Sequence, residues 1–259
     1  MAKAKSTTAP ETISEGIRVE RGVFKCCVVG TSPIILNRMS QKALHDLLYP
    51  GPRKGAVERA TTMKHNPVEE YRASAYTLSD LKAPTLLAIL STAFKGALRS
   101  AALDMPGTKK AQIGRLTYID GEFVGIYGVP KLFMSVTRSA DINRTPDVRT
   151  RAIVPAWAAY LEVTYVQPLI RAQAVANLLA AAGITIGVGD WRPEKGAGSY
   201  GQFRIADAND PEFLDIVKRG GRKVQVDGLE HPTCYDDETT ELLSWFEAER
   251  PRRAMKGVA

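Results

Sequence analysis

Apolar and polar positions recur at two periods along the chain, and the change from one period to the other marks its elements. Val23–Thr31 is apolar and β-branched, stops at Gly30 with Pro33 close behind, and reads as an opening strand. A short apolar run, Ile34–Leu36, follows. Ser40 suits an N-cap for a helix through Leu48, which Tyr49-Pro50-Gly51-Pro52 breaks. Residues 50–66 are basic, rich in Gly and Pro, and aperiodic, and so read as a loop. Pro67, followed by Glu69 and Glu70, suits the start of a helix to about Ala75.

The clearest helical pattern is Ala83–Met105, where Leu87, Leu90, Phe94, Ala97, Leu98 and Ala101 form an apolar stripe. Ser91, Lys95 and Arg99 fall on another face. Leu86–Leu90 also reads as a strand leading into a helix that begins only at Ser91. Gly96 lies in the helix interior, where glycine costs about 1 kcal/mol relative to alanine. Either a neighbouring element packs closely there or a ligand backbone approaches.

Residues 116–137 alternate, with turns at Asp120-Gly121 and Gly128-Val129-Pro130, and predict a hairpin-like set of strands. Residues 138–156 carry Arg138, Arg144, Arg149 and Arg151 with little apolar content, and predict a protruding loop or long hairpin. Ala159–Val166 reads as a strand with Leu161 and Val163 inward. Arg171–Ala182 reads as a helix stopped by Gly183 at C′. Ile184–Val188 then reads as a buried strand, Gly189–Gly201 as a Gly-rich loop, and Gln202–Ala206 as a closing strand. The order over 159–206 is the second half of a split βαβ unit, and 23–31, 91–104 and 116–137 supply the first half. The expected fold class is therefore α+β, ferredoxin-like, with insertions at about 49–82 and 138–156. The core spans 16–209, after a flexible arm over 1–15 and before a C-terminal segment over 210–259.

Of the 259 residues, 44% are hydrophobic, which supports a packed core and excludes a disordered chain. No run approaches the roughly 20 apolar residues that span a bilayer, and residues 1–15 lack an apolar signal core. A cytoplasmic protein with no membrane partner is expected. The net charge of +7 is unevenly placed: residues 210–259 hold 8 Lys/Arg against 11 Asp/Glu, and the first 209 hold 27 against 17. A basic body with an acidic C-terminal segment fits a polyanionic partner. Cys26, Cys27 and Cys234 make no disulfide framework, and adjacent Cys26 and Cys27 should face opposite sides of their strand as small core residues.

The Gly-rich stretch Gly187–Phe203 is neither standard phosphate motif. Lys195 precedes Gly196 rather than following a glycine into Ser or Thr, and Arg192 stands where a dinucleotide fingerprint needs its third glycine. It does combine glycines that admit a close backbone (Gly196, Gly198), cations for phosphates (Arg192, Lys195) and flat rings for bases (Trp191, Tyr200). Single-stranded nucleic-acid sites use that combination. Arg144, Arg149 and Arg151 point the same way, and Lys95 and Arg99 beside Gly96 can line a binding face. Catalysis has little support. His45, His65 and His231 are scattered, and His231 with Cys234 makes only half of a zinc pattern. Asp236-Asp237-Glu238 reads as a helix-start cluster, and Asp141 and Asp147 as partners of the nearby arginines. No cofactor is expected.

Three segments together resemble the RAMP superfamily of CRISPR proteins, and most of all the repeated subunit that coats the guide RNA in effector complexes. They are Val28–Leu36, the helix start STAFKGALRSAA at Ser91–Ala102, and the loop end GAGSYGQFRI at Gly196–Ile205. The whole chain is also similar to a group of uncharacterised phage-encoded proteins that share the stretch GVGDWRPEKG. The resemblance implies an RRM-like core, RNA near Lys95, Arg99 and the Gly196–Gly201 loop, a thumb-like insertion at 138–156, and head-to-tail homo-oligomers that form filaments. Two departures stand out: Leu90 where the family usually has Pro, and the extra Trp191-Arg192-Pro193-Glu194. The expectation is sequence-tolerant binding of single-stranded RNA or DNA. The alternatives left open are a phage single-stranded DNA binding or annealing protein, a metal-dependent ribonuclease using Asp141 or Asp147, and a non-catalytic mimic of an effector subunit.

Overall fold

The structure is a computed structural model and describes residues 18–49, 55, 63, 65–138, 146–195 and 198–256. The chain runs β1 (Glu20–Gly30), β2 (Ile34–Ile35), α1 (Gln41–Leu48), α2 (Pro67–Ala73), β3 (Tyr76–Thr77), β4 (Leu87–Leu90) and α3 (Ser91–Ala101). Next come α4 (Lys110–Leu116), β5 (Thr117–Ile119), β6 (Phe123–Tyr127), β7 (Lys131–Arg138), β8 (Pro146–Val154) and β9 (Ala158–Gln167). Then α5 (Ala172–Thr185), β10 (Phe203–Ala206), α6 (Pro211–Arg219), α7 (Arg222–Glu230) and α8 (Asp237–Lys256) complete it.

The main sheet has the order β10-β1-β9-β6-β4-β3, with β5 also on β9. Its ladders are antiparallel. β5 and β6 share one strand position: Thr117–Ile119 lie opposite Tyr165–Val163, and Ile126–Tyr127 lie opposite Ala159–Ala158. Between them the chain turns at Gly121 (φ 74°) and swings out to pair with β4. The path β1–α3–β5/β6–β9–α5–β10 is therefore a split βαβ repeat with β1 and β9 central, the ferredoxin-like core of an α+β protein.

Strand alternation decides which residues meet the helices. Val28, Ile126, Leu161 and Val163 join Phe94 and Leu98 of α3 and Val175 and Leu179 of α5 in the main core. Cys27 and Val29 point the other way, against Phe213 and Ile216 of α6. Cys26 packs against the main core, so the two cysteines do face opposite sides, and burial pushes the Cys26 thiol up to about 12.

A second sheet, β2-β8-β7, carries the long hairpin expected at 138–156, with Lys131–Arg138 paired to Ile153–Pro146. The strands of 116–137 do not pair with one another as a hairpin set. β5 and β6 join the main sheet, and β7 leaves for the second. The long helical stripe divides at Ser91. Leu87 and Leu90 belong to a strand because β4 is paired on both sides and the Leu86 and Leu87 N–H groups donate to Gln225 Oε1 at 2.7 and 3.0 Å.

Two expectations near residue 185 are corrected. α5 runs on to Thr185, and Ile184 is 66% exposed rather than part of a buried strand. Gly183 is inside the helix because a Cβ there would meet the Phe203 carbonyl, so glycine is what lets α5 lie on β10. The reversal comes four residues later, at Gly187 (φ 72°), whose N–H donates to the Ala182 carbonyl at 2.9 Å.

The C-terminal segment is part of the fold. Gln225 is fully buried, and its Nε2 donates to the carbonyls of Ile126, Gly128 and Gly220. Tyr71 Oη donates to the Gly228 carbonyl at 2.7 Å. Leu132 exchanges backbone hydrogen bonds with Thr233 and Tyr235, and the Met134 N–H donates to Thr239 Oγ1. No helix among the described residues is long and apolar enough to cross a membrane.

Candidate functional site

A cleft of about 290 Å³ opens where α3, the glycine loop and the chain after β2 converge. Thr92, Ala93 and Gly96 of α3 line one part, Gly189, Asp190 and Arg192 another, and Asn37, Tyr76 and the end of β4 contribute as well. The resembling segments thus meet in space. β1 runs into Leu36 at the cleft, α3 borders it, and β10 pairs with the end of β1.

Gly96 is the informative position on α3. A Cβ there would meet nothing within 4 Å among the described residues, so none of them packs on it. The helix keeps bare main chain facing open space. Lys95 and Arg99 share the outer surface with Thr92 and Gly96 at helical spacing. Lys95 Nζ lies 4.3 Å from the centre of the Tyr118 ring, a cation–π contact, and Arg99 is exposed and crosses Gly114. The first turn of α3 has no side-chain cap. The Ser91 N–H donates to the Glu122 carbonyl at 2.9 Å.

The loop after Val188 lies beside α3 but uses most of its chemistry on itself. The Val188 N–H donates to the Gly201 carbonyl, and the Asp190 N–H to Ile35, which pins the loop to β2. At Gly198 and Gly201 a Cβ would collide with the backbones of Trp191 and Val188. The close approach at Gly198 is therefore to the loop's own chain. Asp190 pairs with Arg151, whose side chain is 12% exposed and whose guanidinium burial pulls down to about 10, with Arg149 adding to the shift. Arg151 is thereby a structural cation, where a phosphate contact was expected. Arg149, on the same face of β8, is exposed.

Trp191 and Tyr200 are half-buried and pack with Phe133 and Tyr235. Their ring centres lie 6.2 and 6.3 Å from that of Phe133, and Tyr235 is 5.6 Å from it. Each keeps part of its surface exposed rather than a whole free face. Arg192 borders the cleft and is joined to Glu194 at 2.7 Å. The Ser100 hydroxyl donates to Glu194 at 2.5 Å and is the first cause holding that carboxyl below its ordinary range, with Arg192 adding to it. The loop's acids are thus occupied and do not wall off α3. Lys195 is exposed. Arg144, Gly196 and Asp141 lie outside the described residues.

Sequence reasoning missed Asn37, Tyr76, Thr92 and Arg38, whose guanidinium lies 5.5 Å over the Tyr76 ring. Asn37 and Arg38 directly follow a segment that had been singled out, but β3 is too short to announce Tyr76. Asp147 is tied to His65, whose two ring nitrogens lie 3.0 Å from Asp147 and 2.8 Å from Glu70. His231 pairs with Asp227, and no group of three or more metal-binding side chains occurs among the described residues.

No family model matches the chain, and no curated protein matches it. Among solved structures it is similar to a chain from the structure of the Type III-B Cmr-beta bound to cognate target RNA. The TM-score is 0.30 at 12% identity, over 71% of this chain and 59% of that one. This chain thus spans less than two thirds of the length of the chain it matches.

Proposed function

We propose that this protein binds single-stranded nucleic acid, RNA first, with little regard to sequence, along the outer face of α3 and into the cleft beside the glycine loop. The observation that carries the reading is Gly96, a mid-helix glycine with open space before it that shares its cleft with Gly189. Such a glycine weakens a helix by about 1 kcal/mol relative to alanine, and no packed neighbour requires it. A strand laid against bare main chain does. Lys95, Arg99, Arg149 and Lys195 neutralise phosphates around it, Arg192 meets one at the cleft, and bases lie on the open parts of Trp191 and Tyr200.

The finer reading is a RAMP-like backbone subunit in the cytoplasm, whose copies associate head to tail along the strand. It is supported by β1, where Glu20–Cys26 have no described strand partner on the side away from β9. That open edge can accept a strand from another chain. The reading contains no cleavage step, so labelled RNA incubated with Mg²⁺ should stay intact.

The test is fluorescence anisotropy with unstructured RNA and DNA oligonucleotides of one sequence across a salt series. Three to five phosphate contacts give a log–log slope between about −2 and −4. A flat plot sinks the proposal, and a clear preference for DNA replaces RNA with DNA as the ligand.

A further inference from the structure

We propose that Glu194 and Ser100 are positioning residues that aim Arg192 at a phosphodiester of the bound strand; this rests on the nucleic-acid reading above. Arg192 has five N–H donors. Its Nε and Nη2 donate to Glu194 Oε2 at 3.0 and 2.7 Å, and its Nη1 donates to the Gly189 carbonyl at 3.1 Å. One N–H on each terminal nitrogen remains, and the side chain borders the cleft beside Gly96. The other oxygen of Glu194, Oε1, accepts from Ser100 Oγ at 2.5 Å, and Ser100 is buried in α3. A chain of contacts therefore runs from the helix that would carry the strand to the guanidinium that would grip it.

The backbone prepares this arrangement. Trp191 is the one non-glycine residue with positive φ (50°) among the described residues, an uncommon state for a bulky side chain. The turn sends the Trp191 ring toward Phe133, while the next side chain, Arg192, reaches the cleft. The Trp-Arg-Pro-Glu insert thus has a use: its tryptophan anchors the loop, its arginine presents donors, and its glutamate holds them still. A guanidinium already fixed loses little freedom when an anion arrives, and two N–H groups suit a phosphate better than a point charge.

Simple electrostatics makes the opposite forecast. A carboxylate next to a phosphate site repels the ligand, so neutralising Glu194 should tighten binding. Positioning says that it loosens binding, because the arginine is no longer held. The experiment compares full-length wild type, E194Q, S100A and the double variant. It uses anisotropy with a labelled unstructured uridine oligonucleotide over a salt series, with thermal melts alongside.

E194Q is expected to weaken binding about five- to tenfold, the scale of one charge-assisted pair, although it raises the net charge by one. The salt slope should not steepen. S100A should weaken binding in the same direction without altering charge. The double variant should be no weaker than E194Q, since both act through one chain of contacts. E194Q that binds as well as or better than wild type overturns the clamp alone, as do S100A and E194Q effects that multiply. Wild type that binds no oligonucleotide overturns the clamp together with the reading beneath it.

Discussion

The glycine loop and helix α3 contain the same ingredients, glycines and cations, and use them in opposite ways. In the loop a Cβ at Gly198 or Gly201 would strike backbone, and its carboxylates Asp190 and Glu194 engage Arg151 of β8 and Arg192. On α3 a Cβ at Gly96 would strike no described residue, while Lys95 lies over the Tyr118 ring and Arg99 crosses Gly114. Glycine richness therefore marks a tightly folded loop, while a single glycine on a regular helix marks the open surface. The loop gives the site its shape, and its exposed cations stand on the helix, on β8 and in the loop, at Arg99, Arg149 and Lys195.

That contrast can be broken first at Gly201. Alanine there must adopt φ near 71° and collide with the Val188 carbonyl. Gly201→Ala should cost about 3 kcal/mol, a fall of roughly 10 °C in melting temperature by calorimetry. An unchanged melt would mean the loop is not wedged shut. Gly96→Leu should do the reverse: its melt should not fall, while oligonucleotide affinity drops about tenfold, near 1.4 kcal/mol. Unaltered affinity would place the strand elsewhere.

The charges sharpen the comparison further. Lys95→Ala with Arg99→Ala should flatten the salt slope by about 1.4, at roughly 0.7 per phosphate. Arg151→Gln should leave the slope alone and lower the melt, since it strands Asp190. Gly96→Ala is a smaller test. It should raise stability by about 0.5–1 kcal/mol and still weaken binding, though less than leucine does. The smallest effect is with pH. Glu194 is held below the ordinary carboxylate range, so its contribution is whole above that range and fades as pH falls through the lower folded value. The protection of loop amides, taken relative to their intrinsic exchange rate at each pH, should therefore stay constant from neutral pH down to the ordinary carboxylate range and fall only in more acid solution.

The core was legible because its periods are clean. β9 alternates along Leu161 and Val163, and Phe94, Leu98 and Ala101 recur as one buried stripe. The errors came where tertiary contacts outrank local pattern. At Leu87 and Leu90 the local pattern left both a helical stripe and a strand open, and Gln225, over 130 residues away in sequence, decides for the strand by accepting the Leu86 and Leu87 N–H groups. Gly183 looks like a helix stop, but the need to approach β10 puts it inside the helix. In the site, residue types on α3 and in the loop were readable, whereas their occupancy was not. Nothing in the local sequence says that Asp190 takes Arg151 or that Ser100 reaches Glu194.

Gln225 also bears on how the molecule is made. Its one side chain caps the ends of β4 and β6 from a helix that leaves the ribosome after every strand has been synthesised. Until then those strands carry N–H and C=O groups with no permanent partner, and the growing polypeptide has a sticky flank for as long as translation needs to reach α7. A delay before this helix has emerged and docked should consequently favour aggregation, whereas the same delay afterwards should be harmless.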